Sequence, residues 1–241
     1  MSIRPLLPPV FILSGGLGTR LGSLASSVPK AMVKAAGEPF IAHQLRLLKR
    51  RGVNHVVLCT GHLGEEIENF VQSGAAFGLT VDYSRDGGTR LGTGGSIKAA
   101  LKAFPTVSTF ALTYGDSYLD IDLYPAHEAF TASGKQALMT VFHNCNHFGA
   151  SNVRFAEGQV LHYEKGGSGL EYIDYGFSFL RKECFDLMDS EVFDLSLLWQ
   201  SLIAHNQLAG HQVTERFFEI GTAEGLAETE AQILARAKNY P

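Results

Sequence analysis

The sequence predicts an α/β fold on a mostly parallel sheet, and three observations predict it. Short, largely apolar runs recur through the first half of the chain, a stretch with helical spacing follows each of the first three, and the first and fourth end in glycine or Gly-Asp. Strands buried on both faces read as nearly continuous apolar runs, and strand–helix alternation implies right-handed βαβ crossovers.

The elements follow in order. "PVFILS" (Pro9 to Ser14) reads as a buried parallel strand that runs into glycines. "EPFIAHQLRLLKRRG" (Glu38 to Gly52) places Phe40, Ile41, Leu45 and Leu48 near helical spacing, with Lys/Arg in its last turn and Gly52 as its stop. "HVVLCTG" (His55 to Gly61) is a second strand, "LGEEIENFVQSG" a helix, "LTVDYS" a third strand, "TGGSIKAALKAF" (Thr93 to Phe104) a helix opened by glycines, and "STFALTYGD" (Ser108 to Asp116) a fourth strand. In such sheets ligands lie beyond the carboxyl ends of the strands, so the loop after strand one and Asp116 after strand four share one edge. Later, "QALMTVFHN", "SNVRFAEGQVLHYEK" and "YIDYGFSFL" read as strands, with Glu157-Gly158 as a hairpin turn. "FDLSLLWQSLIAHNQ" reads as a helix, "VTERFFEIG" (Val213 to Gly221) as a strand and "AEGLAETEAQILARAK" as a closing helix.

Composition narrows the functional classes. The 241 residues suit a single domain, 1–241, with no linker or repeat. Hydrophobic residues make up 45%, charged residues 18%, and the net charge is −4 without a basic run, so the sequence predicts no nucleic-acid partner. No stretch approaches a membrane span and the N-terminus lacks a signal-peptide layout, so the expectation is a cytoplasmic protein. Cys59, Cys145 and Cys184 are far apart and form no metal motif.

"GGLGTRLGSLASSVPKAM" (Gly15 to Met32) concentrates the chemistry. Gly15, Gly16 and Gly18 leave backbone N–H groups free to converge at a strand-to-helix turn, where oxyanions bind. It is neither a P-loop nor a full Gly-x-Gly-x-x-Gly fingerprint. A bare three-glycine loop serves equally as a structural turn, but Arg20 offers a planar fork for phosphate oxygens and Lys30 a point charge. Asp116, after Tyr114-Gly115, reads in isolation as a polar strand end or a helix cap. Asp120 and Asp122 form a D-x-D, read as a helix cap and first-turn acid rather than a metal pair. His143 and His147 have i, i+4 spacing but no helix to display it, and His62 reads as facing the cleft or as a polar strand end.

Five segments together resemble the sugar-1-phosphate nucleotidylyltransferases. "FILSGGLGTRLGSLASSVPKAM" is similar to their apolar-LAGGxGTRL…PKP signature, "YSRDGGTRLGTGGSIKAAL" to their base-binding segment, and "ALTYGDSYLD" to the strand whose Gly-Asp holds magnesium. "LHYEKG" resembles the Glu-Lys that grips the sugar phosphate, and "FFEIGTAEGLAE" a late "DIGTPE" element. The resemblance implies a Rossmann-like three-layer sandwich with a mixed, mostly parallel sheet. It implies a nucleotide-binding half to about residue 122 and a sugar-phosphate-binding half from about residue 123.

Its implied nucleotide contacts are Leu13, Gly15, Gly16, Gly18, Thr19, Arg20, Leu91 and Gly94. Catalysis is assigned to Arg20, Lys30 and Asp116, and sugar-phosphate binding to Gly149, Asn152, Glu164, Lys165 and Asp174. The implied cofactor is magnesium on Asp116, with Glu219 standing where many members have Asp. The implied partners are a nucleoside triphosphate and a sugar 1-phosphate, with GTP and a heptose 1-phosphate the best match. UTP- or CTP-dependent transfer, for example to MurNAc 1-phosphate, is the alternative. A silent nucleotide-sugar sensor and a D-x-D glycosyltransferase are the rivals from other classes.

Overall fold

The computed structural model describes residues 4–16 and 28–239; Gly18, Thr19 and Arg20 lie outside them. From the N-terminus, β1 (Val10–Leu13) is followed by a small hairpin of β2 (Lys34–Ala35) and β3 (Glu38–Pro39). Then come α1 (Phe40–Arg50), β4 (His55–Thr60), α2 (Gly64–Val71), β5 (Thr80–Arg85), α3 (Gly92–Ala103), β6 (Thr109–Tyr114), β7 (Ser117–Tyr118) and α4 (Leu123–Ser133). The second half adds β8 (Ala137–His143), β9 (Val153–Ala156), β10 (Gln159–Tyr163), β11 (Tyr172–Arg181), α5 (Leu195–Ala204), β12 (Leu208–Val213), β13 (Phe218–Glu219) and α6 (Ala223–Asn239).

The alternation of side chains along the strands builds the layers. Val10 and Ile12 of β1 pack with Val56 and Leu58 of β4 into one apolar cluster. Phe11, Val57 and Cys59 point into another on the opposite face, as the two-residue strand period requires. Ile41 and Leu45 of α1, Ile67 of α2 and Phe130 of α4 cover the first face. Ile97 of α3 with Leu198 and Trp199 of α5 cover the second. Burial on both faces is why these strands read as continuous apolar runs.

Among the described residues the main sheet has the order β5-β4-β1-β6-β11-β8-β12-β10-β9. β5, β4, β1 and β6 are mutually parallel. β11 joins β6 and β8 in antiparallel register, while β12 lies parallel to β8. The sheet therefore runs unbroken from strands of the first half to strands of the second. Outside it, β13 pairs antiparallel with β7, placing Glu219 opposite Ser117 and Phe218 opposite Tyr118. The result is a mixed α/β sandwich, the fold class expected.

Three local expectations change. The helix expected from Glu38 begins at Phe40, because Glu38 and Pro39 belong to the β2–β3 hairpin. The strand expected over Val213–Gly221 is instead β12 (Leu208–Val213), a turn and the two-residue β13. Gly210 disguises β12, yet it is needed there: a Cβ at this position would lie 2.5 Å from the Phe155 ring. The helix cap and first-turn acid expected at Asp120 and Asp122 shift by one place: Asp122 is the cap of α4, its carboxylate accepting the Tyr124 N–H at 3.1 Å. Asp120 does not cap the helix. It is buried and paired with Arg51 and with Arg236 of α6.

Candidate active site

The carboxyl ends of β1, β4, β5 and β6 open onto one cavity of about 890 Å³. Leu13, Gly15, Gly16, Lys30, Leu91 and Asp116 line it, as do His62, Asp86, Thr93, Ser96 and Tyr114. Parallel β topology explains the gathering, since each strand delivers its following loop to the same edge. Gly15 and Gly61 pack backbone to backbone on the cavity floor, where a Cβ on Gly61 would lie 3.1 Å from the Gly15 Cα. Gly94 sits behind this wall. Its N–H donates to the Phe193 carbonyl at 3.0 Å, and a Cβ there would meet the Phe193 ring at 2.2 Å. Its glycine identity is set by packing.

Asp116 follows β6 and is held from several sides. The Gly115 N–H donates to the Leu13 carbonyl at 2.9 Å, and the Ile220 N–H to the Asp116 carbonyl at 3.0 Å. Gln44, buried on α1, donates from Nε2 to the Tyr114 carbonyl at 2.7 Å and the Ser117 carbonyl at 2.9 Å, clamping both sides of the turn. The Asp116 carboxylate forms an ion pair with Lys30 Nζ. Glu219 arrives on β13: a methyl group at Gly221 would lie 3.3 Å from Glu219 Oε1 and 3.5 Å from Lys30 Nζ. Lys30, Asp116 and Glu219 therefore converge on one place, although they are far apart in sequence. Thr229 of α6 donates its hydroxyl to the Gly225 carbonyl at 2.7 Å, with the Glu219 carbonyl 3.2 Å away, so the helix packs against that strand from behind.

Among the described residues no three His, Cys, Asp or Glu side chains gather as a metal nest. Two carboxylates at the edge of this cavity do suit magnesium, which takes one or two carboxylates and completes its shell with phosphates and waters. His143 ends β8 and His147 lies in the turn after it, so the pair shares no helical face.

Tyr114 lines this cavity and is also within electrostatic reach of a second polar cluster. Burial raises its pKa well above the usual phenol value, and so do the charges of Asp174, Asp194 and Asp116 and the nearby Tyr163. In that cluster, Lys165 Nζ donates to Asp194 Oδ1 at 2.8 Å. Burial alone would raise the Asp194 pKa, but the Lys165 bond and the Ser196 N–H hold it down to about 2. Asp174 is half-buried on β11. Burial lifts its pKa to about 6, against the Gly176 N–H at 2.9 Å and the charge of Lys165. Asn152 Oδ1 accepts the Asp174 N–H at 2.8 Å.

Sequence reasoning therefore placed Asn152, Lys165 and Asp174 in one cluster, and missed Asp194, Tyr114 and Tyr163 beside them. Gly149 and Glu164 flank that cluster less directly. Gly149 is exposed in a turn, its carbonyl accepting from Asn144 Nδ2 at 2.9 Å. The exposed Glu164 carboxylate pairs with His162 at 3.2 Å, while its backbone N–H donates to the Asn152 carbonyl. Asp86 and Gln44 were also missed. The carboxyl-end rule would have found Asp86, which directly follows β5. Nothing in the sequence distinguishes Gln44 from the polar face of its helix.

Comparison with known proteins agrees with this geometry. Residues 10–215 match the MobA-like NTP transferase domain. The N-acetylmuramate alpha-1-phosphate uridylyltransferase of Neisseria meningitidis serogroup B is 28% identical over 91% of this chain and 96% of its own. The D-glycero-alpha-D-manno-heptose 1-phosphate guanylyltransferase of Campylobacter jejuni is 38% identical over 46% of this chain and 49% of its own. The crystal structure of HddC from Yersinia pseudotuberculosis is 25% identical, with a TM-score of 0.77 over 94% of this chain and 99% of that one. With the glycine edge, Lys30 and Asp116 on one cavity and a family match that spans them, the chain belongs to the MobA-like NTP transferase domain family and is a nucleotidyltransferase.

Proposed function

We propose that this enzyme transfers a guanylyl group from GTP to a manno-configured heptose 1-phosphate, releasing pyrophosphate and forming a GDP-sugar. The observation that carries the reading is that two charged clusters, each offering a lysine, lie within electrostatic reach of Tyr114. One is the glycine edge with Lys30, Asp116 and Glu219. The other is the cluster of Lys165, Asp174 and Asp194.

In this reading a phosphate oxygen of the sugar 1-phosphate attacks the α-phosphorus in line. A new P–O bond forms, and the bond from the α-phosphorus to the bridging oxygen breaks, so the electron pair leaves with pyrophosphate. The chain's contribution is positioning and charge placement, with no covalent intermediate. Loop amides at Gly15 and Gly16, with Arg20, receive the leaving phosphates. Lys30 leaves its pairing with Asp116 to neutralise charge at the α-phosphate. Lys165, released from Asp194, takes the sugar phosphate, and Asp174 accepts hydrogen bonds from sugar hydroxyls. Asp116 and Glu219 would hold magnesium, which supplies charge neutralisation when bound.

GTP and heptose are favoured by the motif likeness and by the 38% identity to a heptose 1-phosphate guanylyltransferase. UTP with MurNAc 1-phosphate is the second reading, favoured by the longer match to a uridylyltransferase. The test is a matrix of four nucleoside triphosphates against several sugar 1-phosphates, scored for pyrophosphate. The expected maximum is GTP with heptose 1-phosphate. A UTP or CTP maximum rejects the base, and no turnover with any sugar 1-phosphate rejects the acceptor class.

A further inference from the structure

We infer that Asp194 is a specificity-determining residue of the acceptor side: its carboxylate withholds Lys165 from bare phosphate groups and yields it to a phosphate that arrives with sugar hydroxyls. The inference rests on the transfer reaction proposed above and adds to it the residue that decides which anions reach Lys165.

Asp194 precedes α5 and caps it. Its Oδ1 accepts the Ser196 N–H at 2.9 Å and Lys165 Nζ at 2.8 Å, so both bonds fall on one oxygen and Oδ2 is committed to neither. Its neighbours are fastened to the wall of the nucleotide cavity. The Phe193 N–H donates to the Leu91 carbonyl at 3.0 Å, the Phe193 carbonyl accepts from Gly94 and Gly95, and the Leu195 N–H donates to Thr93 Oγ1 at 2.9 Å. Phe193 itself is buried, its ring against Gly94. The carboxylate therefore stands on fixed backbone and is held by its cap bond, so it stays beside any group that takes Lys165. Lys165 has the freer position. It lies in the exposed turn after β10, and its charge sits at the end of a flexible four-carbon stem.

A fixed charge beside Lys165 sorts anions by what they carry. A phosphate that takes Lys165 leaves Asp194 without its cation and close to a second anion, which is unfavourable. A carboxylate only accepts hydrogen bonds. The ring hydroxyls of a sugar 1-phosphate can donate to the released Asp194 while the phosphate engages Lys165, so two contacts replace the ion pair. A triphosphate tail or a departing pyrophosphate brings charge without ring hydroxyls and leaves the carboxylate facing it. Such a repulsive element against the wrong partner lets a site discriminate between ligands that share one group. The reaction needs that discrimination, because it brings nucleotide phosphates and the acceptor phosphate together.

The experiment measures binding of methyl phosphate and heptose 1-phosphate by calorimetry at pH 8, where both monoesters are dianions. The proteins are wild type, Asp194→Asn, Asp194→Ser and the double variant Lys165→Ala with Asp194→Asn. Asparagine and serine both cap helices, so these changes remove the charge and keep the cap. In either single variant methyl phosphate should bind about tenfold tighter, the size expected of removing one charge near a dianion in a solvated site. Heptose 1-phosphate should stay within about threefold of wild type, because the weaker hydrogen bond from its hydroxyls to a neutral side chain offsets the relieved repulsion. The gain for methyl phosphate should vanish in the double variant, which lacks the lysine. Equal gains for the two ligands, no gain for methyl phosphate in both single variants, or a gain that survives the loss of Lys165 overturns the assignment and leaves the proposed reaction standing. If wild type binds nucleotide but neither heptose 1-phosphate nor any other sugar 1-phosphate, the proposed function fails at its acceptor and the Asp194 assignment falls with it.

Discussion

The two clusters near Tyr114 are built in opposite ways. On the β1–β4–β5 side the working surface is mostly backbone at the ends of parallel strands, with Gly15 packed on Gly61 and ladder hydrogen bonds running past the strands. On the far side it is mostly side chains drawn from separate elements: Lys165 after β10, Asp174 on β11 and Asp194 capping α5. A surface made of backbone is fixed by sheet topology and tolerates exchange of side chains around it. A surface made of paired charges depends on each partner and on pH. In the proposed reaction the first surface would take the nucleotide and the second the acceptor.

Breaking the nucleotide edge should have the largest effect, at its few side-chain positions. Asp116→Asn should lower turnover by about 10²–10³-fold, since removal of a preorganised charge contact costs of that order. Glu219→Gln should cost less, because Glu219 is exposed at the end of a two-residue strand while Asp116 is clamped by Gln44. Pyrophosphate release over a magnesium titration, with circular dichroism to check folding, measures both. Equal losses would mean that the carboxylates act as one unit.

Lys165→Ala should act on the other side alone. It should weaken sugar 1-phosphate binding about ten- to a hundred-fold, as expected for a lost charge-assisted contact, and leave nucleotide affinity nearly unchanged. Calorimetry with each ligand separately checks this. Weakened nucleotide with intact sugar 1-phosphate would reverse the assignment of the two sides.

The smallest effect should appear in stability. Asp174 has a folded pKa of about 6 against an ordinary 3.8, so the folded state holds its proton more tightly than the unfolded chain does. That costs stability when the group is ionised, fully above pH ~6 and not at all below pH ~4. Asp174→Asn should therefore raise the unfolding free energy by about 1–2 kcal/mol at pH 7.5, a gain that fades as pH falls from 6 to 4. Urea unfolding at three pH values tests it. A gain that persists at pH 4 would assign the effect to packing and not to charge.

The same contrast decides what was legible in the sequence. Val10–Leu13 and His55–Thr60 announce themselves because helices cover both their faces, and Gly15, Lys30 and Asp116 follow from where those strands end. β12 was hidden because its pairing with β8 supplies what its Ala209 and Gly210 do not. Gln44 looks like part of a polar helix face and is buried only because a turn seventy residues later folds onto it. Asp194 reads as a helix cap, which it is; its bond to Lys165 comes from an approach between two elements that no local pattern encodes.

The pairing of β13 with β7 bears on how the molecule comes into being. A ribosome releases the chain from its N-terminus. The glycine edge, the β4–β5 floor and Asp116 can all be made before Glu219 has been synthesised. The second carboxylate, and the Thr229 packed behind its strand, come roughly a hundred residues after Asp116. In the order of synthesis the glycine edge, Lys30 and Asp116 come first, and the pair of carboxylates beside Lys30 is complete only once β13 has been made and has paired with β7.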